Sequence, residues 1–509
     1  MKKAVIILMV LTLLSKCIGF FRDITLAYFY GASGLSDAYL IAITIPSVIF
    51  GVIATGISTG YMPMFSRVEE NEGTKKAVSY TNNLISILVV LCTSIIILGL
   101  VFAGPIVRVF ASGFEGNVFD TAVLFTRITL VGIYFTILIR ILSAYLNYRK
   151  YFAVPNLLGI PMSIVIIISI ILSDRTNTAE ILAYGYVAAL FVQFIILLIF
   201  SYRKQFRYRP ILNIKDEHIK TMLILSIPVV LGSAVNQINK LVDRTLASQV
   251  AEGGISALNY AHTLNNSLLG IFVASISTVM YPLISKMAAK DDMKGLKRSL
   301  SQAMTGVTAL ILPATVVALF FADPIVRLLF GRGAFDDQAA SMTSAAFFFY
   351  SIGMIGMGLR TVLSRAFYSL QDTKTPMVNA AIAMGLNIIL NFILVQFMGL
   401  GGLAFATSIA AITTTLLLGY NLRKKIGRLH LRRLVFSFIK ISIASLAMGL
   451  AARLLYMLMM NVANFSVSLL VSLAAAGIIY ALLVSFMRID DVDHLTAAIK
   501  RRLSFRYKS

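Results

Sequence analysis

Apolar residues run along this chain in blocks of membrane-spanning length, separated by short polar stretches rich in Lys, Arg, Gly and Asn. The first six blocks fall at roughly 4–28, 38–66, 78–103, 121–146, 154–173 and 181–201. Six more follow at roughly 221–250, 256–285, 299–322, 339–368, 375–397 and 403–422, and a last pair at roughly 434–459 and 464–487. A straight span needs about 20 apolar residues. The pattern therefore predicts an all-α polytopic membrane protein with about 14 transmembrane helices. Several blocks are longer than one straight crossing, which predicts tilt or bending. Pro46 and Gly51, inside the second block, are natural bend points.

Composition agrees with this reading. Of the 509 residues 58% are hydrophobic and only 13% charged, with a mean hydropathy of +0.86, which excludes an ordinary soluble domain. The N-terminal MKKAVIILMVLTLLS has the charge and apolar core of a signal peptide but no small-residue cleavage site. It reads as an uncleaved first span. Cys17 and Cys92 both lie within spans, so no disulfide framework or paired-cysteine metal motif is expected.

The formal charge of +23 would suggest a nucleic-acid partner in a soluble protein. Its placement points elsewhere. Of the 45 Lys and Arg residues, 31 fall on the side of the two termini, 4 on the other side and 10 within spans. Such a bias predicts that both termini are cytoplasmic. No nucleic acid is expected, and attraction to anionic membrane lipids follows as a by-product.

The chain also repeats itself. Ile57-Ser58-Thr59, with Pro63 and Ser66, recurs 219 residues later as Ile276-Ser277-Thr278, with Pro282 and Ser285. Ala103-Gly104-Pro105-Ile106-Val107-Arg108 recurs at the same offset as Ala322-Asp323-Pro324-Ile325-Val326-Arg327. A unit of six spans enters and leaves on one side, so the two copies are expected to be parallel lobes with a substrate site between them. This predicts an N-lobe at 1–202, a C-lobe at 203–425, and two extra C-terminal spans with a basic cytoplasmic tail at 426–509.

Charges within the apolar blocks mark the candidate chemistry. A charged side chain in hydrocarbon costs at least about 2.5 kcal/mol, so it normally faces a protein interior or a wet cavity. Asp23 and Asp243 are the two acids well inside spans, each beside an arginine, Arg22 and Arg244; Asp37 sits at a span boundary. These pairs read either as interhelical ion pairs or as part of a substrate or coupling-ion site. Arg can present two parallel hydrogen bonds to a phosphate, so a cationic cavity suits an anionic substrate. Lys16 and Arg22 lead that set, followed by Lys240, Arg244 and Arg360, while Arg127, Arg140 and Arg365 fit the cytoplasmic mouth or snorkelling. Asn387 and Asn391 stand one turn apart. They could bridge helices, or join Asp243 and Thr407 around a small hard cation. His262, near Asn265 and Asn266, reads as a structural histidine or a proton-sensitive group. There is no Walker A sequence, nucleophile elbow, HExxH or Cys/His cluster, so an enzyme is not expected.

At these residues the chain resembles the MurJ (MviN) family of lipid II flippases, within the multidrug/oligosaccharidyl-lipid/polysaccharide exporter superfamily. The resemblance covers essentially the whole chain. It is carried by Ser15-Lys16, Gly19-Phe20-Phe21-Arg22-Asp23, Gly31-Ala32-Ser33, Asp37-Ala38, Pro46 and the end of the second span through Pro63. Ser256-Ala257-Leu258-Asn259-Tyr260-Ala261, Phe367-Tyr368-Ser369 and Gln371-Asp372-Thr373-Lys374-Thr375-Pro376 add to it. The resemblance implies two six-helix lobes around a cationic cavity and two C-terminal helices forming a groove for a polyprenyl tail. It implies outward movement of the undecaprenyl-diphosphate-linked peptidoglycan precursor lipid II by alternating access, in a bacterial inner membrane, by a monomer. By position it assigns substrate binding to Ser15, Lys16, Arg22, Asp23 and Asp37, to which the charges read above add Lys240 and Arg244 as further cavity cations. A Na⁺ site maps to Asp243, Asn387, Asn391 and Thr407, and no other cofactor is expected. The chain departs from familiar members at Phe50 and at His262-Thr263, where an arginine and an Asp-Arg pair are usual, and has Lys rather than Arg at position 16. Alternative readings are a flippase for another lipid-linked oligosaccharide, a multidrug/cation antiporter of the same superfamily, and a non-transporting scaffold.

Overall fold

The apolar blocks become long helices because nothing in hydrocarbon competes for the backbone hydrogen bonds. The computed structural model describes residues 2–427 and 431–487; the basic tail from Lys500 lies outside the described residues. Eighteen helices and no strand are present among the described residues. In chain order they begin with α1 (Lys2–Tyr30), α2 (Gly34–Glu72), α3 (Thr74–Val101), α4 (Ala103–Phe110), α5 (Gly116–Leu130) and α6 (Gly132–Tyr148). Next come α7 (Ala153–Leu157), α8 (Gly159–Thr176), α9 (Glu180–Arg203), α10 (Glu217–Val250), α11 (Gly254–Ala289) and α12 (Met293–Phe320). The chain continues with α13 (Ala322–Phe330), α14 (Asp337–Ile352), α15 (Met354–Ser369), α16 (Lys374–Ile426), α17 (Leu431–Met459) and α18 (Phe465–Phe486).

Eight helices are long and apolar enough to cross a membrane, or eleven when each of three bent pairs is one span. The fourteen blocks of the sequence are reached by counting the two limbs of α16 apart and adding α1 and α11, which are 29 and 36 residues long. The bends fall between α5 and α6 (42°), between α14 and α15 (44°) and within α10 (52°). The first two lie at corresponding places of the repeat. The α16 limbs meet at Gly399 (φ 53°, ψ −131°), a conformation suited to glycine, and then run antiparallel. Asn421 donates to Asn379 (3.1 Å), and Lys425 at the end of the second limb reaches Asp372 before the first (2.7 Å).

The expected bend at Pro46 takes another form, because α2 continues as one helix through Pro46 and Pro63. A proline within a helix frees the carbonyl four residues earlier. For Pro46 that carbonyl is Ala42, and the Thr129 hydroxyl donates to it at 2.6 Å. Pro313 in α12 frees Ala309, which accepts from the Tyr480 hydroxyl at 2.6 Å. Pro46 and Pro313 are thus each accommodated by a hydroxyl from a neighbouring helix.

The chain forms two compact units, one of Met1–Ala257 with Arg332–Ala339, the other of Leu258–Gly331 with Ala340–Ser509. In the first, Tyr61, Phe65, Tyr80, Tyr145 and Phe206 are fully buried in one aromatic-rich core. α1 lies on α8 through small residues: the Ser15 hydroxyl fills the space beside Gly159, and Gly19 faces Ser163. That pattern lets two backbones approach closely in lipid. α2 and α10 meet similarly, with the Ser226 hydroxyl donating to Gly56 O at 2.9 Å. In the second unit α17 packs on α12, and Phe321, Met448, Tyr456 and Leu469 join the last two helices to it.

Candidate functional site

Arg22 and Asp23 sit in the last third of α1, where helical geometry alone turns neighbouring side chains about 100° apart. The arginine is long enough to fold back. Its Nε and Nη2 both donate to Asp23 Oδ1, at 3.0 and 2.7 Å. Asp23 is buried, whereas the Arg22 side chain keeps 30% exposure. A guanidinium has five N–H donors, so most of Arg22 remains available to an anion. Tyr39 and Tyr186 lie within its electrostatic reach.

Ser15, from the same expected set, is turned towards α8 by its packing on Gly159. Lys16 and Lys240 are exposed and form no ion pair among the described residues. Phe50, where the resemblance leads to the expectation of an arginine, is 1% exposed in the apolar core of the first unit.

Asp37 has a different setting, in the first turn of α2. It is fully buried and caps the start of α11, accepting from Ser256 N at 2.7 Å, Ser256 Oγ at 2.5 Å and Ile255 N at 3.4 Å. Arg244 Nη1 donates to Ile255 O at 3.0 Å, which brings Asp37 and Arg244 to one peptide. The capping is reciprocal, because Glu252 Oε1 before α11 accepts from Gly34 N at the start of α2 (3.0 Å). Ser36 and Ser256 join hydroxyls at 2.8 Å. Each carboxylate thus meets the positive end of the other copy's helix.

Two further turns close on this cluster. Gly113 N donates to Ser248 Oγ (3.1 Å) and Ala334 N donates to Tyr28 O (2.8 Å). Gly253 (φ 78°) packs so tightly on Ala32 O that a Cβ there would collide with the carbonyl. Glu252, Gly253 and Ser248 escaped the sequence reading. The signal available for them was the repeat itself, which sets Gly34 and Gly253 219 residues apart.

In the second unit Asn387, Asn391 and Thr407 do come together. Asn391 donates to Asn387 Oδ1 (3.3 Å) and Asn387 donates to Thr407 Oγ1 (3.4 Å), with both amides buried. This loosely bonded oxygen set suits a small hard cation. Asp243 belongs to the first unit and accepts from Asn239 Nδ2 at 3.1 Å. His262 is held by Asn266 (3.1 Å) and by the Tyr350 ring (5.7 Å between centroids). Arg365 lies over Tyr281, 5.3 Å from its centroid, and Arg360 is exposed.

The lipid II flippase MurJ family model matches residues 26–484. The chain belongs to the MurJ family of lipid II flippases. A probable MurJ of Vibrio cholerae is 30% identical over 449 residues, covering 86% of this chain and 85% of that one. MurJ of Burkholderia cenocepacia is 26% identical, with 81% and 82% coverage. A solved MurJ structure, described as an inward closed conformation, superposes with a TM-score of 0.84 at 27% identity, covering 96% of this chain and all of that one. An inward-facing multidrug transporter of the MOP superfamily reaches 0.68 at 15% identity, a likeness of fold alone. The chain is therefore a multi-pass membrane flippase and not an enzyme, with the peptidoglycan role that lipid II transport carries.

Proposed function

We propose that this chain carries lipid II from the cytoplasmic to the outer leaflet of a bacterial inner membrane by alternating access, as a monomer with both termini in the cytoplasm. The observation that carries the reading is Arg22, held in the last third of α1 by Asp23 with most of its donors still available. A guanidinium in a partly dry site binds a diphosphate more strongly than it would in water. Lys16 and Lys240 are the further cations assigned to that substrate, so the cationic set works without a charge at Phe50. The 31-to-4 distribution of Lys and Arg supports the orientation. In that orientation the cluster around Asp37 and Glu252 is an outer gate. Parting it exposes two carboxylates and several backbone N–H groups to water, which can hydrate them, so the closed and open forms are close in energy. Both repeat copies lie in one chain, so a single copy suffices.

We also propose that Na⁺ biases the cycle through the oxygens of Asn387, Asn391 and Thr407 in the second unit. The three-residue cluster in the second unit supports this. The ion acts only by preferring one state over the other. Growth of a bacterium depleted of its own flippase tests the transport reading. Complementation is expected with the parent chain and not with Arg22→Ala at equal membrane level. Failure of the parent chain in cells that make only lipid II would favour a different lipid-linked oligosaccharide.

A further inference from the structure

On the side of the termini, α6 and α9 end beside one another, and the chain beyond α9 does not leave as a loose linker. Phe206 is driven into the core of the first unit, 1% exposed, and stacks near Tyr145 and Tyr202. The Tyr145 hydroxyl donates to Lys204 O at 2.7 Å, and Arg207 Nη1 donates back to Tyr202 O at 2.9 Å. These anchors hold Lys204 and Arg207 at the end of α9, with Lys204 against Tyr151, the neighbour of Lys150 in sequence. Lys204 Nζ lies 3.9 Å from the centre of the Tyr151 ring, Arg203 lies over Phe200 and Arg207 over Tyr202. None of Lys150, Arg203, Lys204, Arg207 and Arg209 forms an ion pair among the described residues. Arg149, next in sequence, is by contrast paired with Glu69 at 2.8 Å.

A topology signal needs only the presence of charge on one side. It does not need the charges pinned, unpaired and set against rings. Here Tyr151 and Phe152 are 41% and 46% exposed at the level where two spanning helices end. Rings whose bodies are apolar and whose neighbours are cations belong at the headgroup layer. We propose that this patch is a binding surface for the phosphodiester headgroups of anionic phospholipid in the cytoplasmic leaflet. The phosphate lies among Lys150, Arg203 and Lys204, and Tyr151 and Phe152 flank the upper acyl chains. The surface is separate from Arg22 and does not depend on what the flippase carries.

The test is local capture. A photoreactive benzoyl-phenylalanine replaces Phe152, the full-length protein is reconstituted in vesicles of phosphatidylcholine and phosphatidylglycerol at 3:1, and the adducts are weighed by mass spectrometry. A basic residue near an anionic surface is worth about a fivefold preference. Phosphatidylglycerol adducts are therefore expected at roughly fivefold or more over their share of the membrane. The same probe at Tyr184, at the opposite end of α9, is expected to give the bulk ratio. K150Q/R203Q/K204Q should bring the Phe152 ratio to that of bulk, whereas K150R/R203K/K204R should keep it, and Lys204→Gln alone should lower it. A bulk ratio in the parent, or enrichment unchanged in the triple Gln protein, overturns the proposal. So does loss of enrichment in inorganic phosphate at constant ionic strength, since that result assigns the patch to free phosphate.

Discussion

Asp37 and Ser256 stand 219 residues apart, the period of the internal repeat, and are bonded to each other at 2.7 Å and 2.5 Å. Equivalent points of the two copies thus meet where α2 and α11 begin. Each helix start is capped by the other copy, Asp37 on Ile255 and Ser256, and Glu252 on Gly34. A junction built from a few capping bonds can open as a unit, because each bond lost on one copy has a counterpart on the other.

Removing the buried cap should loosen this junction. Asp37→Ala leaves buried N–H groups unsatisfied, at about 1–3 kcal/mol. In a protein whose Cys17 and Cys92 are replaced by Ser, a thiol at Ser36 is expected to react about fivefold or more faster with an impermeant maleimide once Asp37 is Ala. Glu252→Gln, at an exposed residue, should have the smaller effect. Equal labelling rates in all three would remove these caps from the gate.

Gly253 and Gly73 separate backbone strain from close packing. Both have positive φ, 78° and 86°, but only Gly253 has a carbonyl, Ala32 O, where a Cβ would go. Gly253→Ala is expected to abolish complementation, with Gly73→Ala costing only about 1 kcal/mol in thermal stability. Similar outcomes for the two would show that the turn contact is dispensable.

The hydroxyls that meet proline-freed carbonyls give a double-mutant cycle. Thr129→Val should cost about 0.6–2 kcal/mol in detergent melting, because Ala42 O loses its 2.6 Å donor. In a Pro46→Ala background the helix can bond Ala42 itself, so Thr129→Val should cost much less. An equal cost in both backgrounds would assign Thr129 to packing.

Asp372 carries a pH dependence. The Lys425 ammonium bond, followed by the Thr375 N–H, holds its carboxyl down at about 2, below the ordinary 3.8. A depressed carboxylate stabilises the fold fully above its unfolded value, and that stability is lost as pH falls through the folded value. The melting difference between the parent and Asp372→Asn should be full at pH 5 and shrink between about pH 4 and pH 2. A difference independent of pH would contradict the ion pair.

Much of the fold is legible in the sequence because its causes are local or periodic. Apolar blocks set the spans, the repeat sets corresponding bends, and the Gly-Leu-Gly-Gly run at 399–402 sets the turn within α16. Arg22 and Asp23 are visible as a pair, but one that reads as interhelical or as part of a site; their bond within one helix is hidden, since helical geometry separates the two and only the reach of the arginine rejoins them. Ser15 is assigned to the cavity through the family resemblance, and its packing on Gly159 of α8 is a contact with another helix that no local pattern encodes. Glu252 and the continuous course of α2 through Pro46 depend on contacts 218 and 87 residues away, which no local pattern encodes.

The central claim is that Arg22 receives the diphosphate of lipid II, and transport itself tests it most directly. The measurement is the fraction of lipid II reachable from outside in cells depleted of their own flippase, with the parent chain, Arg22→Lys or Arg22→Ala at matched membrane levels. The parent is expected to restore outward lipid II, Arg22→Lys to restore part of it, and Arg22→Ala to leave it inside. Full restoration by Arg22→Ala would contradict the account.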